Sequence, residues 1–205
     1  MYIPRLLQNV LALARFRSSA SYWEWRYRTG GDSGRGSYGA GAEYKADFLN
    51  RCFTEHRIKT VIDFGCGDGN QLRNLWISDY VGFDISPTAV EYCRTIFAAD
   101  VSKQFKTIDQ YAGETAEAAL SLDVLYHVVE EDLFDAYLTR LFGSAERLVI
   151  IYAVDEDDTR VLRGRHTRYR QFTHRIAQRF PQFTLISAPK APAFARASFF
   201  VYARA

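Results

Sequence analysis

Val-Ile-Asp-Phe-Gly-Cys-Gly-Asp-Gly-Asn, at residues 61–70, carries more structural information than any other part of the chain. An apolar, β-branched pair runs into an acidic residue, and three glycines then follow at every second position. A short apolar run that ends in closely spaced glycines is typical of a buried strand followed by a tight loop. The bare backbone of that loop lets a ligand approach closely, so we expect a ligand site at the carboxyl end of this strand.

Two carboxylates in this stretch, Asp63 and Asp68, restrict what the loop can bind. The dinucleotide fingerprint needs a third glycine at relative position six, and counting from Gly65 that position is Asn70. A pyrophosphate would also be repelled by the two acids, whereas a ligand with an ammonium and a sulfonium would be attracted. S-adenosylmethionine carries both cations, and we predict it as the cofactor.

Short apolar runs alternate with helical patterns from residue 58 onward, which predicts a single α/β domain with a doubly wound, mostly parallel sheet. The final two strands are joined by residues 188–197, too few for a crossover helix, so we expect a terminal antiparallel hairpin. The predicted strands are Thr60–Phe64, Tyr80–Asp84, Gln104–Thr107, Ala118–Asp123, Leu148–Val154, Phe183–Ser187 and Ser198–Ala203. The predicted helices are Ala42–His56, Pro87–Phe97, Glu130–Phe142 and Gln171–Phe180.

The bulk composition excludes some classes of protein. The chain has 205 residues, a formal charge of +2 and three cysteines without a pairing pattern, which suits one domain in a reducing cytoplasm. No apolar stretch reaches the roughly 20 residues of a membrane-spanning helix. Residues 1–17 are apolar and basic at helical spacing. Two interpretations of them stay open: a helix packed on the domain or a partner, and a helix bound to a membrane surface.

The spacing Asp63-x-Gly65-x-Gly67-x-Gly69 resembles motif I of the class I S-adenosylmethionine-dependent methyltransferases. The seven predicted strands with a terminal hairpin are also similar to the Rossmann-like sheet of that family. Further stretches resemble a bacterial subfamily whose members are often found with polysaccharide or glycosyl-transfer functions: residues 22–27, 30–39, 64–71, 121–127 and 166–172. The resemblance implies a methyltransferase domain over residues 41–205, preceded by an N-terminal helix and a substrate or lid segment over residues 1–40.

Candidate cofactor-binding residues follow the predicted strands, because ligands of open parallel sheets lie at the carboxyl ends of strands. Asp84 ends the second strand, where its carboxylate can accept bonds from two ribose hydroxyls, and Ile85 would pack beside the adenine. The resemblance implies an adenine contact near the third strand, and we assign it to Asp100 and Val101. The cofactor-binding set is Asp63, Gly65, Cys66, Gly67, Asp84, Ile85, Asp100, Val101 and Leu122, with Cys66 contributing backbone while its thiol packs.

The segment after the fourth strand, residues 121–127, should face the transferred methyl group. It lacks the Asn/Asp/Ser-Pro-Pro-aromatic pattern of enzymes that methylate nucleobase or amide nitrogens. His127 is a candidate general base because the unperturbed pKa of histidine lies near neutrality, although a structural role is equally open. His166 is a second candidate. A metal-dependent mechanism would use acids such as Asp123 and Asp155, but their spacing does not compel one, and we predict no metal.

Two polar segments are candidates for acceptor binding. The first is the glycine-rich stretch with Arg35, Ser37 and Tyr38. The second, residues 160–179, holds seven arginines, which match carboxylate or phosphate oxygens unless they form a solvated face. From it and the fourth-strand segment we take Tyr126, Arg168, Tyr169 and Arg170 as substrate-binding residues.

Taken together, these features predict O-methylation of a small polar or glycan acceptor. Two alternatives stay open: methylation of a nucleic acid or protein, and a non-catalytic module that binds S-adenosylmethionine. A nucleic-acid partner is disfavoured because the net charge is small and an acidic run precedes the arginines.

Overall fold

The computed structural model describes residues 16–157 and 166–205. The N-terminal helix predicted for residues 1–17 therefore lies outside the described residues, except for its last two positions. The strands are β1 (Thr60–Phe64), β2 (Asp79–Asp84), β3 (Lys103–Thr107), β4 (Ala116–Leu122), β5 (Ala145–Ala153), β6 (Phe183–Ser187) and β7 (Ser198–Arg204). The helices are α1 (Ser19–Arg28), α2 (Gly39–His56), α3 (Pro87–Ile96), α4 (Glu131–Ser144) and α5 (Phe172–Arg179).

The seven strands form one sheet in the order β3-β2-β1-β4-β5-β7-β6. The first five strands of that order are parallel to one another. β7 is antiparallel to both of its neighbours, β5 and β6. This confirms the predicted doubly wound α/β fold with its C-terminal antiparallel hairpin. The order reverses between β1 and β4, and that is the place where a ligand crevice forms in such sheets.

Helices cover both faces of the sheet, because alternate residues of the central strands point to opposite sides. Val61 of β1 packs with residues of α2 and α3 in one apolar cluster, which includes Leu49 and Val90. The next residue, Ile62, packs with residues of α4 and α5 in a second cluster, which includes Leu138 and Ile176. The central strands are therefore buried on both faces, as their continuous apolar sequences predict.

The start of α3 is fixed by its own sequence and lies next to the predicted site. Ser86 caps the helix by accepting a hydrogen bond from the Ala89 amide, and Pro87 occupies the first helical turn. Asp84, at the end of β2, precedes this cap by two residues. None of the helices in the described part of the chain is long and apolar enough to cross a membrane.

Candidate functional site

A cavity lies at the carboxyl edge of the sheet, where the strand order reverses. It encloses about 1030 Å³ of empty space, counting the solvent at its mouth. Its wall combines the glycine loop after β1 with the ends of β2 and β4 and with parts of α1, α2 and α4. Eight of the predicted site residues line it: Ser37, Asp63, Gly65, Cys66, Asp84, Ile85, Leu122 and His127.

The glycine loop has the conformation that its sequence predicts. Gly65 and Gly67 have φ angles of 95° and 57°, which side-chain-bearing residues adopt rarely. Space is also restricted: a Cβ on Gly65 would lie 2.3 Å from the Val124 side chain, and one on Gly67 would lie 2.3 Å from Ser33 Oγ. A side chain at either position would therefore clash with its neighbours and would also have to adopt an unfavourable backbone conformation.

Asp84 is buried and held by the backbone around it. Its Oδ2 accepts a hydrogen bond from the Gly67 amide and its Oδ1 accepts one from the Ser86 amide, each at 2.9 Å. Burial raises the pKa of Asp84 to about 6, although these amide hydrogen bonds oppose the increase. A carboxylate has about four acceptor positions, so Asp84 keeps capacity to accept from a ligand beside its backbone amide bonds.

Asp63 is also buried and is only partly satisfied. Tyr80 donates its hydroxyl to Oδ2 at 2.8 Å, whereas Oδ1 is buried without a hydrogen-bond partner. Burial raises the pKa of Asp63 to about 6, against the lowering effects of the Tyr80 hydroxyl and the nearby Lys45 ammonium. A buried acceptor without a partner is costly, so Oδ1 is suited to a donor that arrives with a ligand.

A buried ion pair stands at the end of β4. Lys45, only 1% exposed, places its Nζ 2.6 Å from Asp123 Oδ2. Tyr126 donates its hydroxyl to the other carboxylate oxygen at 2.7 Å, and Asp123 has a left-handed φ of 62°. Tyr126 thus contacts Asp123 and does not line the cavity, whereas Lys45 lines it and was missed in the sequence. Lysines within helices are usually exposed, and nothing in the sequence around Lys45 indicates that it is buried.

Residues 19–38, which we call the cover segment, close one side of the cavity. Asp68 of the glycine loop holds this segment: its Oδ2 accepts bonds from the Ser33 amide at 2.9 Å and from the Tyr38 hydroxyl at 2.7 Å. Both Tyr38 and Asp68 therefore join the cover segment to the glycine loop, a role that the sequence did not suggest for either. Arg35 is exposed and does not line the cavity.

α1, which begins the cover segment, is fixed at two places above the sheet edge. Glu24 accepts hydrogen bonds from the Ser86 hydroxyl at 2.7 Å and from the Thr88 hydroxyl at 2.7 Å, at the start of α3. Ser19 donates its hydroxyl to Glu130 at 2.6 Å, just before α4. Between these contacts, Trp23 presents its indole ring to the cavity.

His127 follows β4 and lines the cavity. Its Nδ1 lies 3.2 Å from the backbone carbonyl oxygen of His166. Because a carbonyl can only accept, Nδ1 carries the proton and Nε2 presents a free lone pair. Burial lowers the pKa of His127 to about 4, so the imidazole is neutral near pH 7. Trp23 packs edge-on against this ring with 4.8 Å between centroids.

His166 supports His127 through its backbone and does not line the cavity. Its ring stacks on Tyr22 at a centroid distance of 4.5 Å, and burial lowers its pKa. The ring of His127 lies parallel to it at 5.8 Å. The structure therefore places the two predicted histidines together but brings only His127 to the cavity wall.

Arg170, predicted as a substrate-binding residue, is held by the fold and does not line the cavity. The buried guanidinium donates to the carbonyls of Val128 and Val129, each at 2.8 Å, and pairs with Glu131 at 3.1 Å. These contacts fix the segment that follows His127.

Arg168 and Tyr169 also lie outside the cavity wall. Arg168 pairs with Glu131 at 2.8 Å, and Tyr169 packs edge-on against Tyr126 at 5.5 Å. Three of the seven arginines, at positions 160, 163 and 165, lie outside the described residues.

Asp100 and Val101, predicted to contact the adenine, do not line the cavity. These residues precede β3, so they lie at the amino edge of the parallel sheet, opposite the cavity, and Val101 is 93% exposed. Ile108, which directly follows β3, lines the cavity instead. Other lining residues that the sequence analysis missed are Trp23, Tyr27, Lys45, Gln71 and Val124.

The cavity wall fits S-adenosylmethionine group by group. Asp84 offers acceptors for a ribose diol, and the unpartnered Oδ1 of Asp63 offers one for an ammonium. Lys45 supplies a buried cation on the same wall for a carboxylate. Ile85 and Ile108 give apolar surface suited to an adenine ring.

Comparison with known proteins gives a family and a fold. The profile of a methyltransferase domain family matches residues 38–191, whereas no curated protein matches the chain in sequence. The N-methyltransferase NodS of Bradyrhizobium japonicum WM9, solved with S-adenosyl-l-homocysteine, has a TM-score of 0.72 at 12% identity, covering 91% of this chain and 98% of its own. Magnesium protoporphyrin IX methyltransferase of Synechocystis PCC 6803, solved with SAH, has a TM-score of 0.64 at 17% identity. The match covers 96% of this chain and 100% of that methyltransferase chain. At these low sequence identities, the structural similarity shows a shared fold.

Proposed function

The chain belongs to this methyltransferase domain family, and on that basis we propose that it transfers the methyl group of S-adenosylmethionine to a hydroxyl oxygen of a small polar or glycan acceptor. The observation that carries this proposal is His127, a neutral imidazole in the cavity wall whose Nδ1 is bonded to the His166 carbonyl, which leaves Nε2 as the basic nitrogen. A hydroxyl acceptor loses a proton during the reaction, and such a base can take it.

The cofactor, when bound, supplies an electrophilic methyl group on a sulfonium that is already a good leaving group. The protein then has mainly to align the reacting atoms and exclude water. In this role Asp84 would hold the ribose, Asp63 the ammonium and Lys45 the carboxylate. The cover segment would exclude water, because Trp23 and Tyr27 line the cavity from that side.

His127 would accept the hydroxyl proton at Nε2 as the new O–C bond forms and the S–C bond breaks. A base with a pKa of about 4 is sufficient, because the acceptor oxygen becomes strongly acidic once it bonds to the methyl group. The His166 carbonyl keeps the proton of the free imidazole on Nδ1 and so keeps Nε2 available. General base catalysis of this kind contributes roughly 10²- to 10⁴-fold to the rate.

The aromatic side of the cavity supports a glycan acceptor. Trp23 and Tyr27 line the cavity, and Trp23 packs against the ring of His127. Aromatic rings offer large apolar faces with fixed geometry, against which the C–H face of a sugar ring can pack. The arginines of residues 168–179 do not support a nucleic-acid acceptor, because each is paired with Glu131 or Asp135.

The test is methyl transfer from ¹³C-methyl-labelled S-adenosylmethionine to fractionated cell-surface glycans and small metabolites. We expect the label on an oxygen of a polar or glycan acceptor, identified by carbon NMR of the product, and loss of transfer in His127→Asn. Label on nitrogen, or a variant with undiminished transfer, would contradict the proposal. Phe180→Leu, a conservative change at a buried position that does not line the cavity, controls for general damage to the fold.

A further inference from the structure

Gln71 carries a second buried oxygen without a partner in the cavity wall. It begins the turn that follows the glycine loop and is 7% exposed. Its Nε2 donates to the backbone carbonyl of Ala42 in α2 at 3.0 Å. Because that carbonyl can only accept, the orientation of the amide is fixed, and Oε1 is left buried with no hydrogen-bond partner.

This oxygen and Oδ1 of Asp63 are two unsatisfied acceptors on one wall. Both residues line the cavity, and both belong to the segment that begins at the end of β1 and continues through the glycine loop. Lys45, which extends from α2 one turn beyond Ala42, is engaged with Asp123 and makes no hydrogen bond to either oxygen. Two buried acceptors on one cavity wall are suited to a ligand that donates more than one hydrogen bond.

We propose that Gln71 Oε1 and Asp63 Oδ1 together bind the ammonium of the cofactor's methionine moiety, which makes Gln71 a specificity residue for that group. An ammonium has three donors and no acceptor, so it matches a wall that offers only acceptors. One carboxylate balances its single charge, and the neutral amide adds a hydrogen bond without a second charge. This inference rests on the cofactor of the proposed function and is independent of the acceptor.

The consequence is discrimination between ligands that differ only in the ammonium. Wild-type protein should bind S-adenosylhomocysteine more tightly than its desamino analogue, which keeps the carboxylate and the adenosyl group. In Gln71→Met, which keeps the side-chain length but has no amide, that preference should fall roughly tenfold or more, since hydrogen bonds to charged groups are among the strong ones. Affinity for the desamino analogue should change little.

The experiment is isothermal titration calorimetry of both ligands with wild-type, Gln71→Met and Gln71→Glu proteins. Gln71→Glu loses the bond to the Ala42 carbonyl, which weakens both ligands alike, but it keeps an acceptor oxygen and adds a charge. Its preference for the ammonium, the ratio of the two affinities, should therefore equal or exceed that of the wild type. It also keeps the test decisive if Gln71→Met does not fold. Asn50→Ala is the matched control: it removes another buried amide that joins α2 to a loop, through bonds to Asn74 and Trp76, away from the cavity.

Equal loss of affinity for the two ligands in Gln71→Met would overturn the inference, because it would show a purely structural role. An unchanged preference in that variant, or a reduced one in Gln71→Glu, would overturn it as well. Failure of wild-type protein to bind S-adenosylhomocysteine would instead refute the cofactor of the proposed function. The two failures are therefore distinguishable.

Discussion

Replacing Asp63 by asparagine should stabilise the ligand-free protein while it weakens cofactor binding. Burial raises the pKa of this carboxyl from 3.8 to about 6, so the folded protein holds the proton more tightly than the unfolded chain does. Ionisation of Asp63 therefore costs the folded state about 3 kcal/mol, at about 1.4 kcal/mol for each pH unit. An asparagine at this position would be free of that cost, and its amide oxygen could still accept the Tyr80 hydroxyl. Its NH2 would take the unpartnered position of Oδ1, but the neutral carboxyl also leaves a polar group unpartnered there, so that cost is common to both.

The sign of the pH dependence follows from this shift. Below about pH 4 the carboxyl is protonated in both states, and wild type and Asp63→Asn should differ little in unfolding free energy. As the pH rises through about 6, the wild type loses the stability that the variant retains. The variant should therefore become the more stable by roughly 3 kcal/mol at pH 7 and above.

The assay is urea unfolding of both proteins, without ligand, at several pH values from 4 to about 7.5, and Asp79→Asn on an exposed position of β2 controls for the substitution itself. Calorimetry with S-adenosylhomocysteine should show at least roughly tenfold weaker binding to Asp63→Asn, because a charge-assisted hydrogen bond is lost. A variant that is less stable than the wild type at pH 7, or a gap that does not grow between pH 4 and 7, would refute the reasoning.

Three further predictions concern the rest of the site. His127→Asn should lower kcat for methyl transfer by roughly 10²- to 10⁴-fold and leave S-adenosylhomocysteine affinity within about twofold; an equal loss of affinity by calorimetry would contradict a role as base. Lys45→Met should destabilise the fold by about 3–5 kcal/mol in urea unfolding, because Asp123 keeps a poorly solvated charge, and adding Asp123→Asn should restore most of that loss. Arg170→Ala should lower the unfolding free energy by about 2–4 kcal/mol and leave the acceptor KM nearly unchanged; a KM effect without destabilisation would restore Arg170 as a substrate-binding residue.

The parts of the molecule that the sequence predicted well are those governed by local chemistry. β1 has the predicted bounds, because a β-branched run between polar residues and glycines leaves little choice. Ser86 and Pro87 fix the start of α3 in the same way, and with it the position of Asp84. The glycine loop and the end of β2 could therefore be assigned to the site before any tertiary contact was known.

The errors arose where tertiary contacts decide the outcome. β3 has a single fully buried residue, Phe105, so its residue pattern gives little indication of which flanking acid faces the cavity. The predicted residue, Asp100, lies before the strand, at the end away from the cavity. The arginines near residue 170 find their acids on α4, a helix about 40 positions earlier in the chain, which no local pattern reveals. Lys45 and Gln71 were missed because a polar residue in a helix or turn is normally exposed.

The two ends of the cover segment are held by different kinds of contact. Around His127 it is held by rings, with Tyr22 on His166 and Trp23 on His127. Over the glycine loop it is held by hydrogen bonds to Asp68 and Asn70, which water can replace at about 1 kcal/mol each. We therefore expect an asymmetric hinge: the glycine-loop end detaches first, while the aromatic end stays seated. Faster amide hydrogen exchange in residues 30–38 than in residues 20–26 would show this, and equal rates would contradict it. Spent cofactor could then be exchanged while the part of the cavity around His127 keeps its shape.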